Sequence, residues 1–127
     1  MKILIVDDDP FVVEMYGLKL KSAGHTVESA EDGQRGMEMI MRGGWDVVLL
    51  DIVLPILDGF EVLEALRRRG AAHPPIILLT NVGERADIDR GLLLGAADYL
   101  VKTHFTPAEV LAKVEAAANH AAAAPQP

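Results

Sequence analysis

The chain has 127 residues, of which 50% are apolar, with a formal net charge of −7 and no cysteine. This is enough for one compact domain, and the lack of cysteine excludes disulfides and thiolate metal sites. The net negative charge argues against direct binding to nucleic acid. No apolar run approaches the roughly twenty residues that a membrane span needs. A cytoplasmic protein is therefore expected.

The first part of the chain predicts two strand and helix units. Lys2–Val6 is a continuous apolar run typical of a strand buried on both faces. A helix is predicted over residues 10–22, because Asp9 suits its N-cap and Pro10 its first position. Residues 25–30 alternate weakly, as in an edge strand with one wet face. The inward stripe of the helix is predicted to contain Val12, Tyr16 and Leu20.

The middle of the chain contains the run around which the prediction is organised. Residues 47–50 are four consecutive apolar residues, which predicts a buried central strand ending at Asp51. A helix over residues 34–41 precedes it, and another begins at Asp58-Gly59 and ends with a basic run before Gly70. The inward residues of the earlier helix are predicted to be Met37, Ile40 and Met41.

The last part of the chain predicts two more units. Residues 76–81 form a buried strand, residues 84–94 a helix expected to be the least stable element, and residues 97–101 a strand leading to Lys102. A capping box from Thr106 to Glu109 predicts the start of the final helix. Five alternations of strand and helix imply one parallel sheet covered on both faces, for which 2-1-3-4-5 is a common strand order.

Chemically reactive side chains follow four of these strands. Asp7 and Asp8 come after the first strand, Asp51 after the third, Thr80 after the fourth and Lys102 after the fifth. Because ligands of open α/β sheets bind beyond the carboxyl ends of the strands, these side chains are expected to meet at one edge. Clustered carboxylates need a cation, and oxygen donors without Cys or His favour Mg²⁺. Asp51 is the candidate reactive residue, with Lys102 and Thr80 aimed at phosphoryl oxygens.

On these residues the chain resembles the receiver domain of bacterial two-component response regulators, of the chemotaxis-regulator type. The resemblance implies a flavodoxin-like, doubly wound five-stranded parallel sheet over residues 1–121, with residues 122–127 as a flexible tail or linker stub. The motifs that carry it are Ile5-Val6-Asp7-Asp8, Leu50-Asp51 with Pro55 and Asp58-Gly59, Thr80, Gly95-Ala96 before Asp98-Tyr99, and Lys102.

The resemblance also assigns roles to the residues at the strand ends. It implies that Asp51 accepts a phosphoryl group from a phosphohistidine on a sensor histidine kinase or phosphotransfer protein, in a Mg²⁺-dependent reaction. Asp8 and Asp51 would bind the ion directly with the backbone carbonyl of Val53, and Asp7 would act largely through water. Lys102 would pair with Asp51 at rest and with the phosphoryl group afterwards.

The resemblance further implies a switch. Thr80 would move toward the phosphoryl group and Tyr99 would turn inward behind it, reshaping the face built by the fourth helix, fifth strand and fifth helix. A downstream effector protein or domain would read that face, and the chain is expected to be a monomer or a phosphorylation-dependent dimer. Phe11 and Met15, beside the acidic edge, are either an apolar contact for the kinase or ordinary border of the core.

Two positions near the site depart from the usual family pattern. Thr103 follows Lys102 where proline, often joined by a cis bond, is usual. We therefore expect a trans bond, since a non-proline cis bond costs about 2.5–4 kcal/mol. Asn81 follows Thr80 where a small residue is usual, and it is expected either to hinder the turn of Tyr99 or to hydrogen-bond near the site.

Two valines bear on the fate of the phosphoryl group and on the alternatives. Val53 and Val82 occupy positions that orient attacking water in fast-decaying members, so slow loss of phosphate, over minutes or longer, is predicted. A Mg²⁺-dependent phosphohydrolase that forms an aspartyl phosphate on Asp51 is one alternative, although such enzymes commonly carry a second Asp where Val53 stands. A phosphate-independent interaction module of the same fold is the other.

Overall fold

The computed structural model describes residues 1–70, 72–81 and 85–123, and within them strands and helices alternate as predicted. A short 3-10 helix, Lys102–His104, follows the last strand and was not predicted. Bounds differ from the predicted ones by one or two residues, which is the usual uncertainty at element ends. The elements are β1 (Lys2–Val6), α1 (Pro10–Ser22), β2 (Thr26–Ala30), α2 (Gly33–Arg42), β3 (Val47–Asp51), α3 (Gly59–Arg69), β4 (Ile76–Thr80), α4 (Arg85–Leu93), β5 (Asp98–Val101) and α5 (Pro107–Ala123).

The five strands form one parallel sheet of order β2-β1-β3-β4-β5, which confirms the predicted topology. The continuous apolar runs of β1, β3 and β4 lie in its interior, where a strand is covered on both faces. The mostly exposed β2 lies at one edge, as predicted from its weak alternation. β2 lies on one side of β1, and the chain then crosses to form β3 on the other side. The carboxyl ends of β1 and β3 therefore flank the crevice where α/β sheets bind ligands.

Side chains alternate between two apolar layers on the faces of the sheet. One layer contains Ile3, Ile5, Val47 and Leu49 and is covered by α1 and α5. The other contains the intervening residues of the same strands and is covered by α2 and α3. Residues two apart along a strand lie on the same face of the sheet. The side chain that follows a strand is therefore expected on the same face as the residue two positions before it.

The prediction that Met41 faces inward is wrong, because Met41 is exposed and Met39 is buried instead. The reason is the close approach of α2 to β1 at Gly36, where a Cβ atom would lie 2.7 Å from Cγ1 of Val6. This contact turns the Gly36 side of the helix toward the sheet. Successive residues are about 100° apart around a helix, so Met41 is carried to the solvent side while Met37 and Ile40 stay inside.

Two other predictions fall partly outside the described residues. The predicted start of the fourth helix at residue 84 is one of them, and the described helix is Arg85–Leu93. The predicted tail over residues 122–127 is the other: α5 continues to Ala123, and residues 124–127 are not described. Within the described ranges, every helix is too short or too polar to cross a lipid bilayer.

Candidate functional site

The strand register brings Asp7 and Asp51 side by side. Ile5 pairs with Leu49 and Val6 with Leu50, so continuing the register places Asp7 next to Asp51. Both side chains extend the odd-numbered rows and therefore lie on the sheet face that α1 and α5 cover. Both are buried, with only 1% of Asp7 and 4% of Asp51 exposed. Two carboxylates are thus enclosed at one edge of the sheet.

Lys102 joins these two carboxylates. Its Nζ lies 2.6 Å from Oδ2 of Asp7 and 3.1 Å from Oδ2 of Asp51, and its own side chain is 8% exposed. Burial alone would lower the pKa of Lys102, but its hydrogen bonds and charge contacts with the two aspartates outweigh burial and raise it. Lys102 is therefore a fixed cation here. The predicted contact with Asp51 is present, and the shorter contact with Asp7 was not predicted.

Burial raises the pKa of Asp51 to about 6, and the neighbouring charge of Asp7 adds to the effect. Lys102 and the backbone N–H of Val53, which donates to Oδ1 at 3.3 Å, act in the opposite direction. With this pKa, about nine tenths of Asp51 is ionised at neutral pH. The side chain is therefore available as a carboxylate nucleophile, although it is held in its charged form at a cost in stability.

This cost predicts that Asp51→Asn stabilises the protein at neutral pH. The folded-state pKa of about 6 lies above the ordinary 3.8, so the unfolded chain releases its proton first as pH rises. The contribution of Asp51 to stability is thus lost between about pH 4 and pH 6. We expect Asp51→Asn to raise the free energy of unfolding by about 1–3 kcal/mol at neutral pH and to leave it unchanged near pH 4. Denaturant unfolding of both proteins across this range measures the difference, and equal stability at neutral pH would contradict it.

Asp8 completes an acidic group of the kind that holds a divalent ion. One carboxylate oxygen from each of Asp7, Asp8 and Asp51 lies within 4.8 Å of the others. Asp8 is exposed, and a cleft of about 390 Å³ beside α1 borders Asp7 and Asp8. An all-oxygen donor set that is open to solvent on one side suits a hard, partly hydrated cation such as Mg²⁺. The residues present fit the ion that the family resemblance implies.

The loop after Asp51 is clamped at two glycines. Gly59 donates its N–H to the Ile52 carbonyl at 2.8 Å, and a Cβ atom there would lie 2.5 Å from the Asp51 carbonyl oxygen. At Gly33, a Cβ atom would lie within bonding distance of the Leu57 carbonyl oxygen, so α2 also closes onto this loop. The Asp58 capping box fixes the start of α3. Val53 lies between these clamps, and its side chain points to solvent with 74% exposed.

The two predicted switch residues lie on neighbouring strands, with Thr80 at the carboxyl end of β4 and Tyr99 on β5 opposite Leu78. Thr80 is buried and follows Leu79, the register partner of Asp51. Tyr99 is half-buried and packs against the layer under α2 and α3. Lys113 of α5 reaches this segment: its Nζ donates to the Tyr99 carbonyl at 3.2 Å and lies 5.4 Å from the centroid of the Tyr99 ring. These positions are compatible with the predicted switch, in which Thr80 moves and Tyr99 turns inward behind it. The roles of both residues in a switch stay predictions.

The departures from the family pattern have visible structural consequences. The bond between Lys102 and Thr103 is trans, as expected, and the chain continues into the 3-10 helix. Asn81 is exposed at the end of β4, and Val82 lies outside the described residues.

Of the two candidate contacts for a kinase, Phe11 is 69% exposed, whereas Met15 is partly buried against the core.

Comparison with known proteins supports the assignment that the geometry suggests. The sequence model of the response regulator receiver domain matches residues 3–115. The chain is 40% identical over 116 residues to RpaA of Synechocystis sp., a DNA-binding dual master transcriptional regulator, covering 91% of this chain and 48% of RpaA. It is 40% identical over 123 residues to the transcriptional regulatory protein CusR of Escherichia coli, covering 97% of this chain and 53% of CusR. The chain therefore spans about half the length of these curated relatives.

Solved structures agree with the sequence comparisons. The receiver domain of Francisella response regulator 1452 superposes with a TM-score of 0.86 at 28% identity, covering 94% of this chain and 98% of that one. The BeF₃-activated N-terminal receiver domain of Klebsiella pneumoniae RstA superposes with a TM-score of 0.84 at 36% identity, covering 93% of this chain and 98% of that one. With the acidic group, its buried lysine and the strand order in place, the chain belongs to the receiver domain family of two-component response regulators.

Proposed function

We propose that Asp51 is the residue on which this receiver domain accepts its phosphoryl group, from a phosphohistidine of a sensor histidine kinase or a histidine phosphotransfer protein. The observation that carries the proposal is the buried Asp51 carboxylate, which a buried lysine contacts at 3.1 Å beside two further aspartates. Burial raises the pKa of Asp51 to about 6, which leaves the carboxylate ionised at neutral pH. It also lies centrally, at the end of β3.

The proposed step needs an ionised nucleophile and a cation at the receiving oxygens. An oxygen of Asp51 attacks phosphorus, the bond from phosphorus to the imidazole nitrogen breaks, and the imidazole leaves with the electron pair. Lys102 then turns from the aspartates toward the phosphoryl oxygens, which carry the new negative charge.

We further propose that Mg²⁺ is bound at this site by Asp8, Asp51 and the backbone carbonyl of Val53, with Asp7 acting largely through water. A bound divalent ion would offset the repulsion among the carboxylates and draw the phosphoryl oxygens to the acidic edge. The donor set supports this choice, because three carboxylates without Cys or His favour a hard cation over Zn²⁺.

The proposed output is a change on the face of α4, β5 and α5. Thr80 would follow the phosphoryl group and Tyr99 would turn inward behind it, so that a downstream effector protein or domain can distinguish the two states. The contacts of Lys113 with Asp98 and Tyr99 support this, since they couple β5 to α5. We place the protein in the cytoplasm, as a monomer or a phosphorylation-dependent dimer.

The test is to add Mg²⁺ and beryllofluoride and to record amide NMR spectra of the wild type and of Asp51→Ala. Beryllofluoride stands in for the phosphoryl group on a carboxylate. We expect shifts that begin at the acidic edge and extend to α4 and α5 in the wild type and that are absent from the variant. Shifts of equal size in Asp51→Ala would overturn the proposal, and their restriction to the acidic edge in the wild type would overturn the switch.

The exposed Val53 side chain predicts how long the phosphoryl group persists. An apolar side chain cannot position an attacking water, so we expect the phosphorylated protein to decay over minutes or longer at neutral pH. Val53→Asn adds a group that can hydrogen-bond water, and it is expected to speed decay by about tenfold. Decay of the mass-shifted species after removal of the phosphodonor measures both rates, with Val53→Leu as control. Loss of the wild-type signal within seconds would refute the prediction.

A further inference from the structure

Arg67 ties the end of α4 to α3. It lies in the last turn of α3, and its Nη1 donates to the carbonyl of Leu93, the last residue of α4, at 2.8 Å. Carbonyls in the last turn of a helix have no partner within that helix and carry its negative end, so a guanidinium is a favourable partner for them. Arg67 therefore caps a helix other than its own.

Arg90 makes a second tie, one turn earlier in α4. Its guanidinium carbon lies 4.3 Å from the centroid of the Phe60 ring, and its Nη2 lies 3.4 Å from Oε1 of Glu64. Both partners belong to α3. We call these contacts of Arg90, together with the bond from Arg67 to the Leu93 carbonyl, the α3–α4 clasp. The two helices are thus joined by cationic side chains at the molecular surface.

Apolar packing holds α4 less firmly than it holds α3. Within its described range α4 buries Ile88 and Gly91, whereas α3 buries five residues. Gly91 rests directly on the sheet, because a Cβ atom there would overlap Cδ1 of Leu78 in β4. A cleft of about 300 Å³, bordered by Leu66 and Leu93, opens beside the ends of the two helices. Since little apolar surface is buried by α4, the clasp contributes a large share of its attachment.

The clasp holds α4 at the end that is remote from the acidic edge. Helix α3 begins at Gly59, and Arg67 comes eight residues later, or about 12 Å along the axis. The other attachment of α4 is at Leu78, which precedes Thr80 by two residues and therefore shares its face of β4. A displacement of Thr80 thus acts on the strand that supports α4, while the clasp restrains the far end of the helix.

We propose that the α3–α4 clasp holds α4 in its resting position and opens when Asp51 carries a phosphoryl group. The structure describes the resting state, since Lys102 is paired with the aspartates. A contact that is equal in both states cannot bias one against the other, whereas a contact made only at rest lowers the apparent affinity for the activating group. The inference rests on the proposed function, because it needs phosphorylation to move the face that contains α4.

The first measurement is the apparent affinity for beryllofluoride in the presence of Mg²⁺, titrated by amide NMR. Arg67→Met keeps an unbranched side chain but removes the donor to Leu93, and we expect it to bind beryllofluoride about threefold to fivefold more tightly than the wild type. Arg90→Met, which removes the second tie, should act in the same direction. A merely structural role for either arginine predicts lower stability without this gain in affinity.

The matched control is Arg68→Met. Arg68 is the next residue of α3 and is exposed like Arg67, but it makes no contact with α4 among the residues that the structure describes. The variant makes the same change in net charge at the same end of the helix. Its affinity for beryllofluoride should stay within about twofold of the wild type.

The second measurement follows the resting equilibrium without beryllofluoride. A variant with an open clasp populates the activated arrangement more often, so its amide signals should move along the line that joins the free and beryllofluoride-bound positions of the wild type. The informative signals are those of β5 and α5, which lie outside both clasped helices. Arg67→Met and Arg90→Met should show this movement, and Arg68→Met should not.

The outcomes separate this inference from the proposed function. If the wild type binds beryllofluoride but Arg67→Met and Arg90→Met bind it equally or more weakly, the clasp does not oppose activation, and the function stands. An equal gain in Arg68→Met would assign the effect to charge and would also overturn the clasp. If the wild type does not bind beryllofluoride, or if Asp51→Ala binds it equally well, the proposed function fails and the clasp has no switch to restrain.

Discussion

Asp51→Asn is expected to lower phosphoryl incorporation from acetyl phosphate by at least about 100-fold in the presence of Mg²⁺, because an amide oxygen is a far weaker nucleophile than a carboxylate. The fold should survive, since the single amide oxygen can still accept from Lys102 in place of Oδ2, while the weaker bond from the N–H of Val53 to the other oxygen is lost. Intact-mass measurement of the adduct over time gives the rate for each protein. The loss of reactivity should therefore accompany a gain in stability, and that combination separates a lost nucleophile from a damaged fold.

The matched control lies at the other end of the same strand. Asp46 immediately precedes β3, and its carboxylate accepts the Lys2 N–H at 2.7 Å, a bond that an amide oxygen can also accept. Asp46→Asn makes the same chemical change away from the acidic edge, and its rate should stay within about twofold of the wild type. Undiminished incorporation by Asp51→Asn would show that another carboxylate is the acceptor.

The second large effect is expected from Lys102. Lys102→Met should lower the free energy of unfolding by about 3–5 kcal/mol at neutral pH, because it leaves two buried carboxylates without their cation. Lys113→Met is the matched control. The ion pair of Lys113 with Asp98, at 3.0 Å, is part-exposed and should contribute no more than about 1 kcal/mol. Denaturant unfolding of the three proteins at one pH measures the comparison, and equal losses would contradict the role assigned to Lys102.

The effect of Lys102→Met should shrink in acid. The raised pKa of Lys102 means that its stabilisation is complete below the ordinary lysine pKa and is lost only when pH rises through the raised value. The ionisation of Lys102 itself therefore does not change from neutral pH downward. Without the lysine, the pKa of Asp51 rises further above 6, so the variant gains stability as its carboxylates take up protons. If the difference in free energy of unfolding between the wild type and Lys102→Met stays constant down to about pH 4, the loss of stability comes from packing and not from charge.

Local signals were enough to predict most of the elements. The apolar runs of β1, β3 and β4 predict buried strands, and each of them is found. The predicted capping box at the start of α5 is also confirmed, since Glu109 donates its N–H to the Thr106 hydroxyl at 3.2 Å and its carboxylate accepts the Thr106 N–H at 3.1 Å. These features succeed because each depends on residues that are close together in the chain.

Features that depend on how elements meet could not be read in the same way. Met41 was misplaced because the rotation of α2 is set by the contact of Gly36 with Val6 on another element. The contact between Lys102 and Asp7 follows from a register in which Asp7 continues next to Asp51, and a register is a property of two strands.

The two glycine clamps on the loop after Asp51 bear on how signal duration could be tuned. Replacing Gly33 or Gly59 would force a side chain into backbone, so the path of this loop tolerates little change. Val53 lies within the same loop, yet its side chain is free in solvent. We therefore expect that substitutions at Val53 can adjust the lifetime of the activated state without rebuilding the surrounding loop. Regulators with this loop could share one scaffold and still act as timers of very different length.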